Sequence, residues 1–191
     1  MTTASVSLRV LLASVSMTVV AAMAVAHDDD DRHDNRPDQF YRNTRLVSNG
    51  AFPANFTDPN LKNAWGVAFN PQGFVWVADA DGNVSTLYDG TGRPSPQPTP
   101  LVVAVPGPDG TPGNPTGIVF SGGTDFVVTK AGVSGPARFI FATEQGNLAG
   151  WVPNVDATNA VFVPKDPTDT DAAAYTGLAL SGNGTTHLLY A

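Results

Sequence analysis

Three stretches of the chain repeat one order of apolar and polar positions. Gly66-Val-Ala-Phe-Asn-Pro-Gln-Gly-Phe-Val-Trp-Val-Ala-Asp79 is the first, Gly117-Ile-Val-Phe-Ser-Gly-Gly-Thr-Asp-Phe-Val-Val-Thr129 the second, and Gly177-Leu-Ala-Leu-Ser-Gly-Asn-Gly-Thr-Thr-His-Leu-Leu-Tyr-Ala191 the third. Each opens on glycine, continues apolar–x–apolar, turns through polar residues and glycine, and returns along a second apolar run. Val67 and Phe69, Ile118 and Phe120, and Leu178 and Leu180 alternate with a period of two, which predicts a strand with one buried face. Asn70–Gly73, Ser121–Thr124 and Ser181–Gly184 carry turn chemistry. The return strands are expected at Phe74–Ala78, Phe126–Thr129 and Leu188–Tyr190. The leading glycine suits a place where a neighbouring backbone leaves no room for a side chain.

A second match deepens the repeat. Val75-Trp-Val-Ala-Asp-Ala-Asp-Gly-Asn-Val84 aligns without a gap with Phe139-Ile-Phe-Ala-Thr-Glu-Gln-Gly-Asn-Leu148. Both read strand, Gly-Asn turn, strand, and the third strands run on as Val84–Tyr88 and Leu148–Trp151. Leu101–Val105 and Val161–Val163 supply fourth strands. Four short antiparallel strands in a unit of about 40–50 residues are the mark of a propeller blade. The expected fold is all-β: a partial, unclosed β-propeller of about three blades, each blade four-stranded and antiparallel.

Composition supports this and divides the chain. Of 191 residues, all 19 glycines and 15 of the 16 prolines lie in 41–191, where Glu144 is the single glutamate. That density of helix breakers excludes a helix bundle, a coiled coil and a Rossmann-type sheet. Residues 1–26 have the parts of a secretory signal: a short start with Arg9, the apolar run Val10–Ala24, and small residues at Ala24 and Ala26 that place cleavage before His27. Residues 27–40 read as an acidic, disordered tail, and 41–191 as the incomplete propeller domain. The expected location is therefore exported, periplasmic or extracellular, with no membrane span after signal cleavage.

Net charge is −7 and the chain has no cysteine. An acidic chain whose bases are scattered is not built for nucleic acid. Without cysteine there is no disulfide framework, thiolate metal site or cysteine nucleophile. The run from His27 to Asp34 could gather a divalent ion loosely, but four adjacent aspartates offer no fixed geometry and fit a hydrated leader.

With these residues in view, the chain resembles NHL-type repeats shared with gluconolactonase-like and Vgb-like propellers. More narrowly, Thr57–Gly66, Ser85–Gly90, Asn114–Phe120, Phe139–Glu144 and Tyr175–Leu180 are similar to an uncharacterised family of exported bacterial β-propeller proteins, some with a PEP-CTERM sorting signal. The resemblance covers Tyr41 to Ala191 and corresponds to the N-terminal part of that family. It implies a fold and an export route, and no reaction. Ala64 departs from the proline expected before Trp-Gly, and family members continue for several more blades.

In a propeller the loop leading into the first strand and the loop between the second and third strands open on one face. The channel-mouth candidates are therefore Asp58, Asn63, Trp65, Asp79, Asp81, Asn114, Glu144 and Tyr175. Such carboxylates and amides can hold a hard cation such as Ca²⁺; the same aspartates also fit hairpin turns closed by side-chain-to-backbone hydrogen bonds. His187 has no second histidine in the body, and no Gly-x-Ser-x-Gly, Walker loop or His-x-x-x-His occurs. The leading expectation is a non-enzymatic binding or scaffolding surface at the cell envelope or outside the cell, for a small molecule, glycan or protein. The alternatives are a metal-dependent lactonase- or esterase-like hydrolase, and a short propeller that closes by oligomerising. Because closed propellers take about 4–8 blades, the chain is expected to be an N-terminal fragment of a longer protein.

Overall fold

The computed structural model describes residues 41–170, 172–184 and 186–191; the expected signal (1–26) and acidic tail (27–40) lie outside the described residues. These residues form fourteen β-strands and two short 3-10 turns, with no α-helix among them. The fold is all-β. Arg42–Ala191 is one unit.

Two four-stranded antiparallel sheets carry the architecture. A short parallel pair, β1 (Val47–Ser48) and β2 (Phe56–Thr57), precedes them. The first sheet has the order β3 (Ala64–Phe69), β4 (Val75–Asp79), β5 (Val84–Tyr88), β6 (Val102–Ala104). The second has the order β7 (Pro115–Phe120), β10 (Phe139–Thr143), β11 (Leu148–Trp151), β12 (Val161–Val163). Neither sheet closes on itself. A third unit is the hairpin β13 (Ala179–Gly182) and β14 (His187–Tyr190).

One expectation is corrected. Phe126–Thr129 is not the return strand of the second sheet. It falls in an inserted hairpin, β8 (Val127–Lys130) with β9 (Val133–Pro136), and β7 pairs instead with β10. The gapless match of 75–84 with 139–148 thus aligns true second strands, β4 with β10. The inserted hairpin lies over β11, where a Cβ on Gly150 would come within 2.7 Å of Val128 Cγ1.

The strand alternation sorts side chains between two cores. Trp76, Ala78 and Leu87 of the first sheet meet Ile118, Phe139, Phe141 and Trp151 of the second. The rings of Trp76 and Phe139 stack with centroids 4.0 Å apart, and Trp151 leans on Trp76 at 4.7 Å. On the opposite face of the second sheet, Val128, Ala137, Ile140 and Val152 gather with Leu178 and Leu189. The second sheet is therefore the middle layer, which is why Phe139–Thr143 is buried at every position although it alternates.

The repeated glycines mark where the layers come closest. A Cβ on Gly66 would lie 2.9 Å from both Ile118 N and Thr116 O of β7. A Cβ on Gly117 would lie 2.6 Å from Gly177 C and Leu178 N. Real side chains do not approach backbone so closely, so glycine is required at both. The first strands β3 and β7 and the start of the third unit thus succeed one another side by side. At the outer edge Ala104 is bridged to Asn159, with Ala104 N donating to Thr158 O at 2.9 Å and Ala160 N donating to Ala104 O at 2.8 Å.

Candidate polar surface at the strand ends

The loops into the first strands and the turns between second and third strands meet at one edge of the layers. Asn63 and Asn114 are equivalent, each standing immediately before a first strand with φ of 50° and 44°. Asparagine tolerates this left-handed backbone better than most residues. The carbonyl of Asn63 accepts from Ala80 N at 3.1 Å, and that of Asn114 accepts from Glu144 N at 3.2 Å. Each main chain thereby clamps the turn beside it.

The side chains repeat as well. Asn63 Nδ2 donates to Asp81 Oδ1 at 3.1 Å, and Gln145 Nε2 donates to Asn114 Oδ1 at 2.8 Å. Asp81 and Gln145 occupy matching positions in the gapless alignment. Between the sheets, Asn114 N donates to Asn83 Oδ1 at 3.1 Å and Asn114 Nδ2 to Ala80 O at 3.3 Å. Trp65 Nε1 donates to Asn63 Oδ1 at 3.1 Å. The third unit joins through Tyr175, whose N donates to Thr143 O at 3.2 Å and whose carbonyl accepts from Thr116 Oγ1 at 2.6 Å.

Of the eight candidates, Asn63, Trp65, Asp81 and Glu144 are exposed, while Asn114 and Tyr175 are half-buried. Asp58 and Asp79 are buried beneath this surface. Asp58 Oδ1 accepts from Asn60 N and Nδ2 at 2.9 and 3.0 Å, and its Oδ2 accepts from Tyr88 Oη at 3.0 Å. It ties the segment before β3 to β5.

Asp79 is fully buried, and its Oδ2 accepts from Thr86 Oγ1 at 2.7 Å. Its Oδ1 has no hydrogen-bond partner among the described residues. Burial pushes the carboxyl up to about 7; the nearby Asp58 adds to this and the Thr86 hydroxyl opposes it. Burial likewise raises the Tyr88 phenol. At the equivalent place in the second sheet stands Thr143, whose Oγ1 donates to Asn147 O at 3.3 Å and accepts from Asn147 N at 3.2 Å.

Gln145 joins the eight candidates at this edge, and its alignment with Asp81 is the signal in the sequence that marks it. His187 Nδ1 contacts Asp125 Oδ2, linking β14 to the segment before the inserted hairpin. This imidazole–carboxylate pair is far along the strands from the Asn63–Asp81 edge, beside the turn glycines Gly123 and Gly182. Among the described residues, no group of three or more His, Cys, Asp or Glu side chains is placed to hold a metal ion. No described helix is long and apolar enough to cross a membrane.

Comparison with known proteins adds two relatives. The chain is similar to uncharacterized protein R648 of Acanthamoeba polyphaga mimivirus, with 28% identity over 141 residues, covering 72% of this chain and 33% of that protein. It is also similar to uncharacterized protein L690 of the same virus, with 26% identity over 139 residues, covering 72% of this chain and 36% of that protein. The chain thus spans about a third of the length of each. No protein-family profile matches it, and no solved structure matches it.

Proposed function

We propose that the chain is an arc of consecutive β-propeller blades, exported by its N-terminal signal, whose strand-end edge is a binding surface for a polar, hydroxyl-rich ligand such as a glycan. Two complete blades and the inner hairpin of a third make up the arc. The observation that carries this reading is the recurrence of the Asn63–Asp81 pair as Asn114–Gln145, in successive repeats and at the same edge. Amide and carboxylate groups held by such pairs present both donors and acceptors to solvent, the combination that hydroxyl groups satisfy. What supports a binding role is that the paired amides and carboxylate stand at the same edge in both repeats.

Saturation-transfer NMR against a panel of neutral oligosaccharides tests it. Transfer to at least one glycan, lost in Asn63→Ala and Gln145→Ala, is the expected result. No transfer to any glycan of the panel removes the ligand class. Calcium added during thermal melting is the companion measurement: a large upward shift would favour a metal-dependent site over this reading.

A further inference from the structure

At the strand ends opposite the Asn63–Asp81 edge, the two sheets line a cleft of about 770 Å³. Gln72, in the turn between β3 and β4, lines it from the first sheet. Ser121 directly after β7, Arg138 directly before β10 and Asn154 beyond β11 line it from the second. Both walls thus belong to described residues. Main-chain bonds hold the second wall: Ser121 N donates to Arg138 O at 2.8 Å, and Arg138 N donates to Trp151 O at 2.7 Å. On the first wall, Gln72 N donates to Asn70 Oδ1 at 3.1 Å.

The fold leaves the polar side chains of this cleft unused. Ser121 is only 4% exposed, yet its hydroxyl makes no hydrogen bond among the described residues. Buried polar side chains ordinarily have a partner. The side chains of Gln72, Arg138 and Asn154 are exposed and also make no hydrogen bond or ion pair among the described residues. No Asp or Glu among the described residues lines the cleft, although the chain carries a net charge of −7. Asp125, beside the cleft residue Gly123, has its carboxylate against His187 Nδ1.

We propose that this cleft binds a sugar acid, with the carboxylate on Arg138 and the hydroxyls on Gln72, Ser121 and Asn154. The site is separate from the Asn63–Asp81 edge and does not rest on the reading of that edge. A guanidinium presents a planar fork of donors that matches a carboxylate. The amides and the hydroxyl supply both donors and acceptors, which sugar hydroxyls satisfy. Phe120 and Val152 add apolar surface to the lining, suited to the carbon face of a ring. With no acid in the lining, nothing is placed to hold an ammonium group, which disfavours an amino acid. The volume lies within the usual range of about 300–1,000 Å³ for small-molecule sites.

Titration calorimetry of the full chain with galacturonate and glucuronate tests this, with galactose, glucose, acetate and inorganic phosphate as comparison probes. At least one uronate is expected to bind, and more tightly than its neutral sugar, acetate or phosphate. Arg138→Gln is expected to weaken that binding about tenfold or more, the scale of a lost charge-assisted hydrogen bond. Ser121→Ala removes a hydroxyl that bonds nothing in the fold, so it is expected to weaken binding several-fold while leaving the melting temperature unchanged. Arg93→Gln removes the same charge from an exposed loop and is expected to bind the uronate as wild type does. Each variant is checked for wild-type circular dichroism. No binding of either uronate overturns the proposal. So does equal weakening by Arg93→Gln and Arg138→Gln, which would assign the effect to net charge. Acetate or phosphate bound as tightly as the uronate would overturn the sugar-acid assignment.

Discussion

Asn114 accepts a hydrogen bond from Gln145 at 2.8 Å, and 31 residues separate them in the chain. The pair reproduces Asn63 and Asp81 one repeat earlier, at 3.1 Å. In both, an asparagine with left-handed backbone stands just before a first strand and reaches the turn between the second and third strands. The repeat therefore fixes a strand arrangement and, with it, a polar edge built twice from matching positions.

Asn114 does two separable things, which gives the first prediction. Its backbone sits at φ 44°, and its side chain bonds Gln145 and Ala80. Asn114→Gly keeps the backbone and removes the side chain; Asn114→Ala removes the side chain and strains the backbone. Chemical denaturation is expected to show a loss of about 1 kcal/mol for the glycine variant, typical of a net hydrogen bond. The alanine variant is expected to lose about 1 kcal/mol more, from the left-handed strain. Equal losses would mean that the backbone conformation is immaterial.

Asp79 gives the second prediction. Its Oδ1 is buried without a partner, whereas Thr143 at the equivalent place satisfies its hydroxyl. Asp79→Thr removes the orphaned oxygen, and stability is expected to rise by about 1–3 kcal/mol, the usual cost of an unsatisfied buried polar group. A fall in melting temperature would show that the carboxylate serves the fold.

The same residue sets a pH dependence. The folded-state value of Asp79 is about 7, raised from an ordinary 3.8. The folded chain therefore binds this proton more tightly than the unfolded chain. Its contribution is fully present below about pH 4 and is lost as pH rises from there to about 7. Asp156 acts in the opposite sense: its bond from Lys130, then those from Thr158 N and Asn159, hold its carboxyl well down, so its contribution is lost in strong acid. Melting curves across pH 4 to 7 are expected to fall in wild type and to flatten in Asp79→Asn. An unchanged slope in the variant would assign the dependence elsewhere.

The aromatic contact between sheets gives the fourth prediction. Phe139 is stacked 4.0 Å from Trp76 and lies 6.3 Å from Trp151. Phe139→Ala is expected to cost about 3–5 kcal/mol, the range for deleting a buried aromatic ring. Val163→Ala, at a more exposed position on the outermost strand of the same sheet, is expected to cost less than about 1 kcal/mol. Comparable losses at the two positions would deny the Trp76–Phe139 layer its central place.

Much of this was readable from the chain. The period-two alternation at Val67 and Phe69 and at Ile118 and Phe120, together with the alignment of Val75–Val84 with Phe139–Leu148, located both four-stranded sheets. The leading glycines predicted close backbone contact, and Gly66 and Gly117 make it. The inserted hairpin was not readable, because Val127-Val128-Thr129 has the apolar run expected of a return strand. Its turn is Ala131-Gly132, with φ of 51° and 81°. Alanine gives no warning of a left-handed turn, whereas Asn or Asp before glycine would have. The burial of Asp58 was hidden for a related reason. Its partner Tyr88 lies 30 residues away, and only the assembled sheet brings them together.

The central claim is a succession of first strands, each seated on the next through a repeated glycine. Thermal melting of Gly66→Ala, Gly117→Ala and Gly177→Ala tests it most directly. A new Cβ at Gly66 or Gly117 would fall within 3 Å of backbone, while at Gly177 it meets nothing within 4 Å among the described residues. The first two variants are expected to lose about 1–3 kcal/mol from overpacking. The third is expected to be neutral or to gain up to about 1 kcal/mol from a stiffer unfolded chain. Tolerance of alanine at Gly66 and Gly117, or a loss at Gly177 as large as theirs, would contradict the succession.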